Sequence, residues 1–256
     1  MRQSKNITPQ ETVQRIALST QSIGLSGVFN CRELGGYENA DGSKIKRGIL
    51  IRSGQLCDIT KEDKDILLRQ YELGTVIDLR SKREVSQLPD PIFTGVRYRN
   101  YPVTDEDDNE SRREFSMGFE TELYYDLMCG AAAKEAYKNF FECLLSVKYG
   151  SCVLFHSVYG KDRAGVAAAL LLSLLDVSED IMTEDYLLTN KVLARSTQTD
   201  GEQPREYTAA NNVYAHSLEY ALAGVSVEYG SVRDYIKEIA VLSENNIKEL
   251  KRKFLE

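Results

Sequence analysis

The chain has 256 residues, of which 42% are hydrophobic and 28% are charged, and its formal net charge is −7 at pH 7. These proportions are typical of a soluble globular protein, and the length suits one α/β domain with a large core. Because no long basic stretch offsets the acidic balance, we expect no binding to nucleic acid or to an anionic membrane. The sequence contains no apolar run of about 18 residues, so we expect no transmembrane segment.

The cysteines and the start of the chain bear on redox state and location. The five cysteines form no Cys-x-x-Cys pair: Cys31, Cys57, Cys129, Cys143 and Cys152. We expect reduced thiols rather than a disulfide framework or a zinc site, and no metal or organic cofactor. The first 20 residues lack the apolar core of a signal peptide. A cytoplasmic protein is therefore expected, or a secreted one whose leader is missing here; the oligomeric state stays open.

The first elements are an N-terminal helix, short strands and a second helix. Thr8, Pro9 and Glu11 have the types expected at a helix N-cap, first turn and capping box, within a helical extension over residues 1–24. Turns follow at Gly-Gly and Asp-Gly pairs, and we expect short strands over residues 44–52. The stretch ITKEDKDILLRQYELG then predicts a capped amphipathic helix that ends at Gly74.

The middle of the chain alternates between strands and helices. TVIDLRS and VRYRNYPV predict strands, and the charged residues 104–118 predict either a solvated loop or a mobile lid. A long helix over residues 119–148, broken at Gly130, precedes SCVLFH, which we expect at the centre of the sheet. Such an alternation is typical of an α/β fold with a central, mostly parallel sheet flanked by helices.

The last part of the chain is helical. RAGVAAALLLSLLDV is apolar on every side and predicts a buried helix. Four more helices, with Ser or Thr caps, are expected in the C-terminal helical part over residues 178–256. We expect all of this to belong to a single domain over residues 1–256.

The stretch FHSVYGKDRAG, residues 155–165, joins the central strand to the buried helix. Successive N–H groups in a strand–loop–helix unit can form an anion nest, and the helix N-terminus adds about half a positive charge. Gly160 permits the tight backbone path, and Lys161 adds a point charge. Arg163 offers a planar fork for two phosphate oxygens, and Asp162 a carboxyl group for a leaving oxygen. The stretch predicts a phosphate-binding site, with a solvated charged loop as the alternative.

Two other chemistries fit this stretch less well. A Walker loop is excluded, because the required earlier glycine is missing and Asp162 replaces its Ser or Thr. A serine hydrolase built on Ser157 would have to recruit His216 as its base. The other histidine, His156, adjoins Ser157 on a strand, so the two side chains point to opposite faces. The serine hydrolase is the least favoured hypothesis.

The same stretch resembles the His-Cys-x5-Arg motif of the cysteine-dependent protein tyrosine phosphatases, in the Gly-Lys-Asp-Arg form of their bacterial branch. FNCRELGGY, GILIRSGQL, TVIDLRSKREV, DYLLTN and EYGSVRDYI resemble other elements of that branch, in the same order. The resemblance spans roughly residues 25–255. It implies a protein tyrosine phosphatase-like fold and the hydrolysis of phosphotyrosine and/or phosphoinositides through a phosphoenzyme intermediate.

Carried over by position, the resemblance implies a role for each loop residue. Position 157 is the nucleophile, Arg163 stabilises the equatorial oxygens and Asp162 is the favoured general acid. The residues that enclose the phosphate are Val158, Tyr159, Gly160, Lys161, Asp162 and Arg163. Asp105 or Asp107, in the lid, is a reserve general acid. Lys161 and the basic cluster Lys44, Lys46 and Arg47 favour a polyphosphorylated inositol lipid head group, although a solvated hairpin also explains the cluster.

The supporting residues are His156, Asp78, Arg80, Asn30 and Arg32. His156 is expected to orient the loop. Asp78 and Arg80 either border the pocket or form a structural ion pair. Asn30 and Arg32 either brace the loop or contact the substrate.

The sequence departs from the family pattern at the nucleophile. Ser157 stands where the family has Cys, Ala164 where it usually has Thr, and Val158-Tyr159 where it has Thr-Ala. A cysteine at a helix N-terminus beside Arg loses its proton readily, whereas a serine hydroxyl stays protonated without a dedicated base. We expect the chain to bind phosphorylated ligands and to hydrolyse them very slowly or not at all. Ser157 is then either a Cys-to-Ser substitution that traps substrate or the mark of a natural pseudophosphatase.

Overall fold

The computed structural model describes residues 21–104, 117–196 and 212–256 of the chain. The N-terminal helix with Thr8, Pro9 and Glu11, and the lid carboxylates Asp105 and Asp107, lie outside the described residues. Within the described ranges, every helix is too short or too polar to cross a lipid bilayer.

A five-stranded sheet forms the centre of the described fold, in the order β1-β2-β5-β3-β4. The first pair, β1 with β2, is antiparallel, and the other three pairs are parallel. The strands are β1 (Arg32–Glu33), β2 (Leu50–Ser53), β3 (Leu73–Asp78), β4 (Arg97–Asn100) and β5 (Cys152–His156). The mostly parallel sheet and the central position of SCVLFH are confirmed.

Helices cover both faces of the sheet and continue to the C-terminus. Among the described residues they are α1 (Lys61–Arg69), α2 (Lys82–Gln87), α3 (Met117–Cys129), α4 (Ala131–Ser146), α5 (Arg163–Leu174), α6 (Glu179–Ser196), α7 (Ala215–Tyr229), α8 (Val232–Ile239) and α9 (Glu244–Phe254). The break at Gly130 and the four helices after α5 are confirmed.

Alternating side chains of β5 divide the core between the two faces of the sheet. Val153 and Phe155 join the larger cluster, which includes α4, α5 and the C-terminal helices. Cys152 and Leu154 join the smaller cluster with Leu67 of α1. Both faces of this parallel strand are therefore buried, which explains its uninterrupted apolar sequence.

Two boundaries differ from the sequence-based expectation. Helix α1 ends at Arg69, not at Gly74, because Glu72 takes a φ of +50° and β3 begins at once. Gly74 lies inside β3, where a Cβ atom would come within 2.0 Å of the Ser151 Oγ.

Helix α7 begins after Tyr214 without a side-chain cap, so the expected Ser or Thr cap is wrong there. Helix α2 was not anticipated; Ser81 and Glu84 start it with a capping box.

The parallel strands end in register on one edge of the sheet. Ser53 of β2, His156 of β5, Asp78 of β3 and Asn100 of β4 are aligned partners. In open α/β sheets, ligands bind outside the carboxyl ends of the strands. The loop 157–162 leaves the central strand at this edge.

Candidate active site

The carbonyl groups of residues 158–161 in the loop 157–162 are held by donors outside the loop. Val158 O accepts from the Gln55 N–H at 3.1 Å. The Asn30 side-chain amide donates to Tyr159 O at 3.2 Å and to Gly160 O at 3.1 Å. Because the C=O and the following N–H of a trans peptide point in opposite directions, the N–H groups of residues 159–162 face the inside of the loop. Backbone N–H groups that converge in this way can form an anion nest.

Arg52 completes the support of these carbonyls from beneath. Its Nη2 donates to Gly160 O at 2.8 Å and to Lys161 O at 3.3 Å. The side chain is fully buried at the end of β2. A buried guanidinium supplies charge-assisted hydrogen bonds that hold the loop in one conformation.

Asp185 of α6 neutralises the two buried arginines next to the loop. Its carboxylate accepts from Arg52 Nη1 at 2.5 Å and from Arg32 Nε at 3.1 Å. Arg32 also donates to the Asn30 side-chain oxygen. Burial alone would raise the pKa of Asp185, but the two guanidinium groups outweigh it and hold the pKa below its ordinary value. Burial, with the nearby Arg32, lowers the pKa of Arg52 to about 10.

Arg163, the first residue of α5, is held in a bidentate ion pair. Its Nη1 lies 2.5 Å and its Nη2 3.0 Å from the two carboxylate oxygens of Glu84. Glu84 belongs to α2, which is fixed by the capping box with Ser81. Although burial acts against it, the paired guanidinium holds the pKa of Glu84 below its ordinary value. The pairing fixes the plane of the fork and uses two of its five N–H groups.

Asp162, the N-cap residue of α5, accepts a hydrogen bond from Tyr124, which in turn contacts a second tyrosine. The Tyr124 hydroxyl of α3 donates to Asp162 Oδ1 and is itself hydrogen-bonded to the Tyr186 hydroxyl of α6. The other carboxylate oxygen, Oδ2, lies 3.6 Å from Lys161 Nζ. The Asp162 side chain is 32% exposed, so one of its oxygens is anchored in the protein while the carboxyl group still reaches the surface.

A buried charge cluster lies under the start of the loop. His156 Nε2 is 2.9 Å from Asp90 Oδ2 and 3.8 Å from Asp78 Oδ2. Arg80 contacts both carboxylates through Nη2, at 2.7 Å from Asp78 and 2.9 Å from Asp90. Burial would raise the pKa of Asp78, but His156 and Arg80 lower it. The three residues His156, Asp78 and Asp90 come close enough to hold a metal ion, but the guanidinium of Arg80 already occupies the cation position between the carboxylates.

Comparison with known proteins decides the family. The model of the tyrosine phosphatase family matches residues 23–256. The chain belongs to the tyrosine phosphatase family.

Individual relatives of the family are distant in sequence but matched over most of their length. A Cupriavidus necator protein named as a tyrosine-protein phosphatase is 28% identical, over 91% of this chain and 89% of its own. The triple specificity protein phosphatase PtpB of Mycobacterium tuberculosis is 25% identical, over 85% of this chain and 93% of its own. The crystal structure of P. aeruginosa TpbA is 15% identical, with a TM-score of 0.35, over 78% of this chain and 91% of its own.

The loop 157–162 and Arg163 lie together, and the supporting residues differ in how they contact them. Ser157 is buried at 2% exposure at the base of the loop, with its N–H 3.4 Å from Ser53 O. Asn30 contacts the loop backbone directly, whereas Arg32 acts through Asn30 and Asp185. Asp78 and Arg80 are fully buried and bonded to each other, as in a structural ion pair.

The alternatives raised by the two histidines also have a structural answer. His156 contacts carboxylates on the face of the sheet that Leu154 shares, while Phe155 faces the larger cluster. This is the alternation expected of neighbours on a strand. The His216 ring, on α7, stacks on Tyr214 with ring centroids 5.5 Å apart. Each member of the basic cluster has a partner: Arg47 contacts Glu33, Lys46 donates to carbonyls of α9, and Lys44 Nζ lies 3.9 Å from Glu38 Oε2.

Sequence reasoning did not single out several residues that support the site. They are Arg52, Glu84, Asp90, Tyr124 and Asp185. A charged residue at the end of an apolar strand, as in the ILIRS of β2, is a signal of a paired buried charge, because arginine is almost never fully buried alone. No such local signal marks Tyr124. Its hydrogen bond to Asp162 depends on the packing of α3 against the loop 157–162.

We expect Gly160→Ala to abolish phosphate binding and to lower the free energy of unfolding by about 2–4 kcal/mol. Gly160 has a φ of +63°, and a Cβ atom there would meet the backbone of Ser53 at 2.4 Å. Backbone atoms cannot yield as a flexible side chain can.

Gly42→Ala is the matched control, because Gly42 has a φ of +82° but open space around its Cβ position. It should cost about 1 kcal/mol and leave binding unchanged. Urea unfolding and phosphate titration measure both effects.

Proposed function

We propose that the loop 157–162 with Arg163 is the phosphate site of a phosphomonoester hydrolase of the cysteine-dependent type, with position 157 as the nucleophile position. The observation that carries this proposal is the outward anchoring of the loop carbonyls by Asn30, Gln55 and Arg52. This anchoring leaves the backbone N–H groups of the loop available to bind an anion at the N-terminus of α5. Membership in the tyrosine phosphatase family supports the same chemistry.

Each part of the site contributes one step of phosphoryl transfer. The nest and the Arg163 fork bind the phosphate oxygens and stabilise the charge that spreads over them in the transition state. A nucleophile at position 157 displaces the alcohol, so the P–O bond to the leaving group breaks as a bond from phosphorus to position 157 forms. Asp162 gives its proton to the leaving oxygen and then, as a base, accepts one from the water that hydrolyses the phosphoenzyme.

Ser157 changes the first of these steps and leaves the binding groups in place. Its hydroxyl stays protonated, and His156, the histidine next to it in the chain, faces the opposite side of the strand. The chain with Ser157 therefore binds phosphate esters and turns them over very slowly or not at all. A substrate-trapping substitution and a natural pseudophosphatase both have this property.

For the substrate we propose phosphorylated groups of proteins, inositol lipids or both. The nest and the fork bind the phosphate itself, which is common to both classes. Lys161, whose Nζ lies 3.6 Å from Asp162 Oδ2 and whose side chain is 11% exposed, adds a cation beside the loop, which supports the recognition of a further phosphate. The name of PtpB as a triple specificity phosphatase is consistent with a site of this type that accepts more than one class.

The binding part of the proposal is tested by removing the fork. We expect Arg163→Ala to weaken the binding of inorganic phosphate and of phosphotyrosine by about 10²-fold, and Arg163→Lys by about tenfold, because Lys keeps the charge but not the planar geometry. Isothermal titration with the chain carrying Ser157 measures both. Arg69→Ala is the control for net charge, since Arg69 is 79% exposed and its ion pair within the described part of the chain is with Asp65 on the same helix, α1. Equal affinities in all four chains would contradict a phosphate site here.

A further inference from the structure

The hydrogen bond from Tyr124 to Asp162 has a fixed direction. If Asp162 is ionised, both of its oxygens can only accept, so the Tyr124 hydroxyl is the donor. The Tyr124 proton is then committed, and the contact between the two tyrosines requires the Tyr186 hydroxyl to donate to Tyr124. The chain of donors therefore runs from Tyr186 through Tyr124 to Asp162 Oδ1.

The two tyrosines are held rigidly by packing. Tyr124 is 4% exposed and Tyr186 is 1% exposed, and their rings meet edge to face with centroids 5.9 Å apart. Gly165 of α5 makes room for the Tyr186 ring, because a Cβ atom there would lie 3.1 Å from it. Burial and the neighbouring Asp162 carboxylate raise the pKa of Tyr124 well above its ordinary value. Tyr124 is thus a hydroxyl donor over the whole working range of pH.

We propose that Tyr124 is a positioning residue that selects Oδ2 of Asp162 as the oxygen that carries the catalytic proton. In a protonated carboxyl group, the carbonyl oxygen is the better acceptor and the hydroxyl oxygen is the donor. Because Oδ1 is engaged by Tyr124, the proton resides on Oδ2, the oxygen near Lys161. When the proton passes from Oδ2 to the leaving oxygen, the new carboxylate keeps the Tyr124 hydrogen bond, which strengthens as charge develops.

This inference rests on the proposed function, and it predicts an effect that depends on the leaving group. General acid catalysis matters most when the leaving oxygen is basic and little when it is a good leaving group. In the chain carrying Ser157→Cys, we expect Tyr124→Phe to lower kcat/KM for phenyl phosphate about tenfold and for p-nitrophenyl phosphate less than about twofold. The limb of the pH profile that reports the acid should also shift for phenyl phosphate alone.

Two matched variants separate positioning from a general loss of structure. Tyr137→Phe removes a fully buried hydroxyl that donates to Leu127 O at 3.0 Å and has no bond to Asp162. It should leave the ratio of the two rates unchanged. Tyr186→Phe removes the distal donor and keeps the Tyr124 hydroxyl, so its effect on the ratio should be smaller than that of Tyr124→Phe.

The outcomes distinguish this inference from the proposed function. An unchanged ratio in an active Ser157→Cys, Tyr124→Phe chain would overturn the role of Tyr124 and leave the phosphatase proposal intact. Equal losses for both substrates would also overturn it, because they indicate damage to the nest rather than to the acid. No turnover by the Ser157→Cys chain would overturn the catalytic proposal and this inference together.

Discussion

The Ser157→Cys chain should hydrolyse p-nitrophenyl phosphate on the order of 10³-fold faster, or more, than the chain with Ser157, which corresponds to at least about 4 kcal/mol of activation free energy. Under the proposed function, the nucleophile is the group that this sequence lacks at position 157, at the start of the loop whose carbonyls Asn30 and Arg52 hold. A thiol with an ordinary pKa of about 8.5 ionises more readily at a helix N-terminus beside Arg. The hydroxyl of Ser157 has no comparable route to an anion.

Steady-state kinetics on p-nitrophenyl phosphate, a phosphotyrosine peptide and a phosphoinositide measures this gain and the substrate class together. Ser157→Ala is the matched control; it should keep the affinity for phosphate and the residual rate of the parent chain. A pseudophosphatase would behave differently, with tight phosphate binding that Arg163→Ala removes but no gain from Ser157→Cys. If Ser157→Ala instead abolished a substantial turnover, Ser157 itself would be the nucleophile and the proposal would be wrong.

Asp185→Asn should destabilise the protein by about 3–5 kcal/mol, the largest stability effect that we expect of a single substitution here. Asp185 is 1% exposed and balances Arg32 and Arg52, which are also buried. An amide keeps the shape but leaves two buried guanidinium groups without a counter-charge. Because Arg52 and Asn30 hold the loop carbonyls, we also expect phosphate affinity to fall in the fraction that folds.

The destabilisation caused by Asp185→Asn depends on pH, and the direction of this dependence follows from the pKa of Asp185. The folded-state pKa of Asp185 is depressed, so its contribution is fully present above the unfolded value of about 4 and is lost as pH falls through the folded value. The gap in unfolding free energy between Asp185→Asn and its parent should therefore narrow below about pH 4. Urea unfolding across pH measures it. Asp176→Asn is the control: Asp176 pairs with Arg233 and Lys251 at 30% exposure, so it should cost about 1 kcal/mol or less.

Most of the fold could be predicted from sequence because its patterns are strong and local. The apolar run of β5 and the all-round apolar α5 are unambiguous, and glycine marks the break between α3 and α4. The sequence does not predict where α1 ends, because the local pattern around Gly74 is compatible with two structures. A glycine can end a helix or allow close packing within a strand, and only the contact with Ser151 shows which applies.

The site divides in the same way into a local and a non-local part. The loop and its arginine lie within one continuous stretch, so their chemistry could be predicted from residue type and spacing. The partners that hold them come from distant parts of the chain, as the contacts of Asp185 with Arg32 and of Glu84 with Arg163 illustrate. Neither pairing has a spacing rule in the sequence, because it exists only after the sheet and helices have packed.

The position of α6 has a consequence for how the protein reaches its native state. This helix supplies Asp185, Tyr186 and Thr189, which reach Arg32, Tyr124 and Asn30 across separations of 153, 62 and 159 residues. Contacts of such range close late in folding, because the loop entropy must be overcome first. We therefore expect the loop 157–162 to be among the last features to form. Under the proposed function, a phosphate ester binds only the completed fold and so shifts the equilibrium from partly folded chains toward it by mass action.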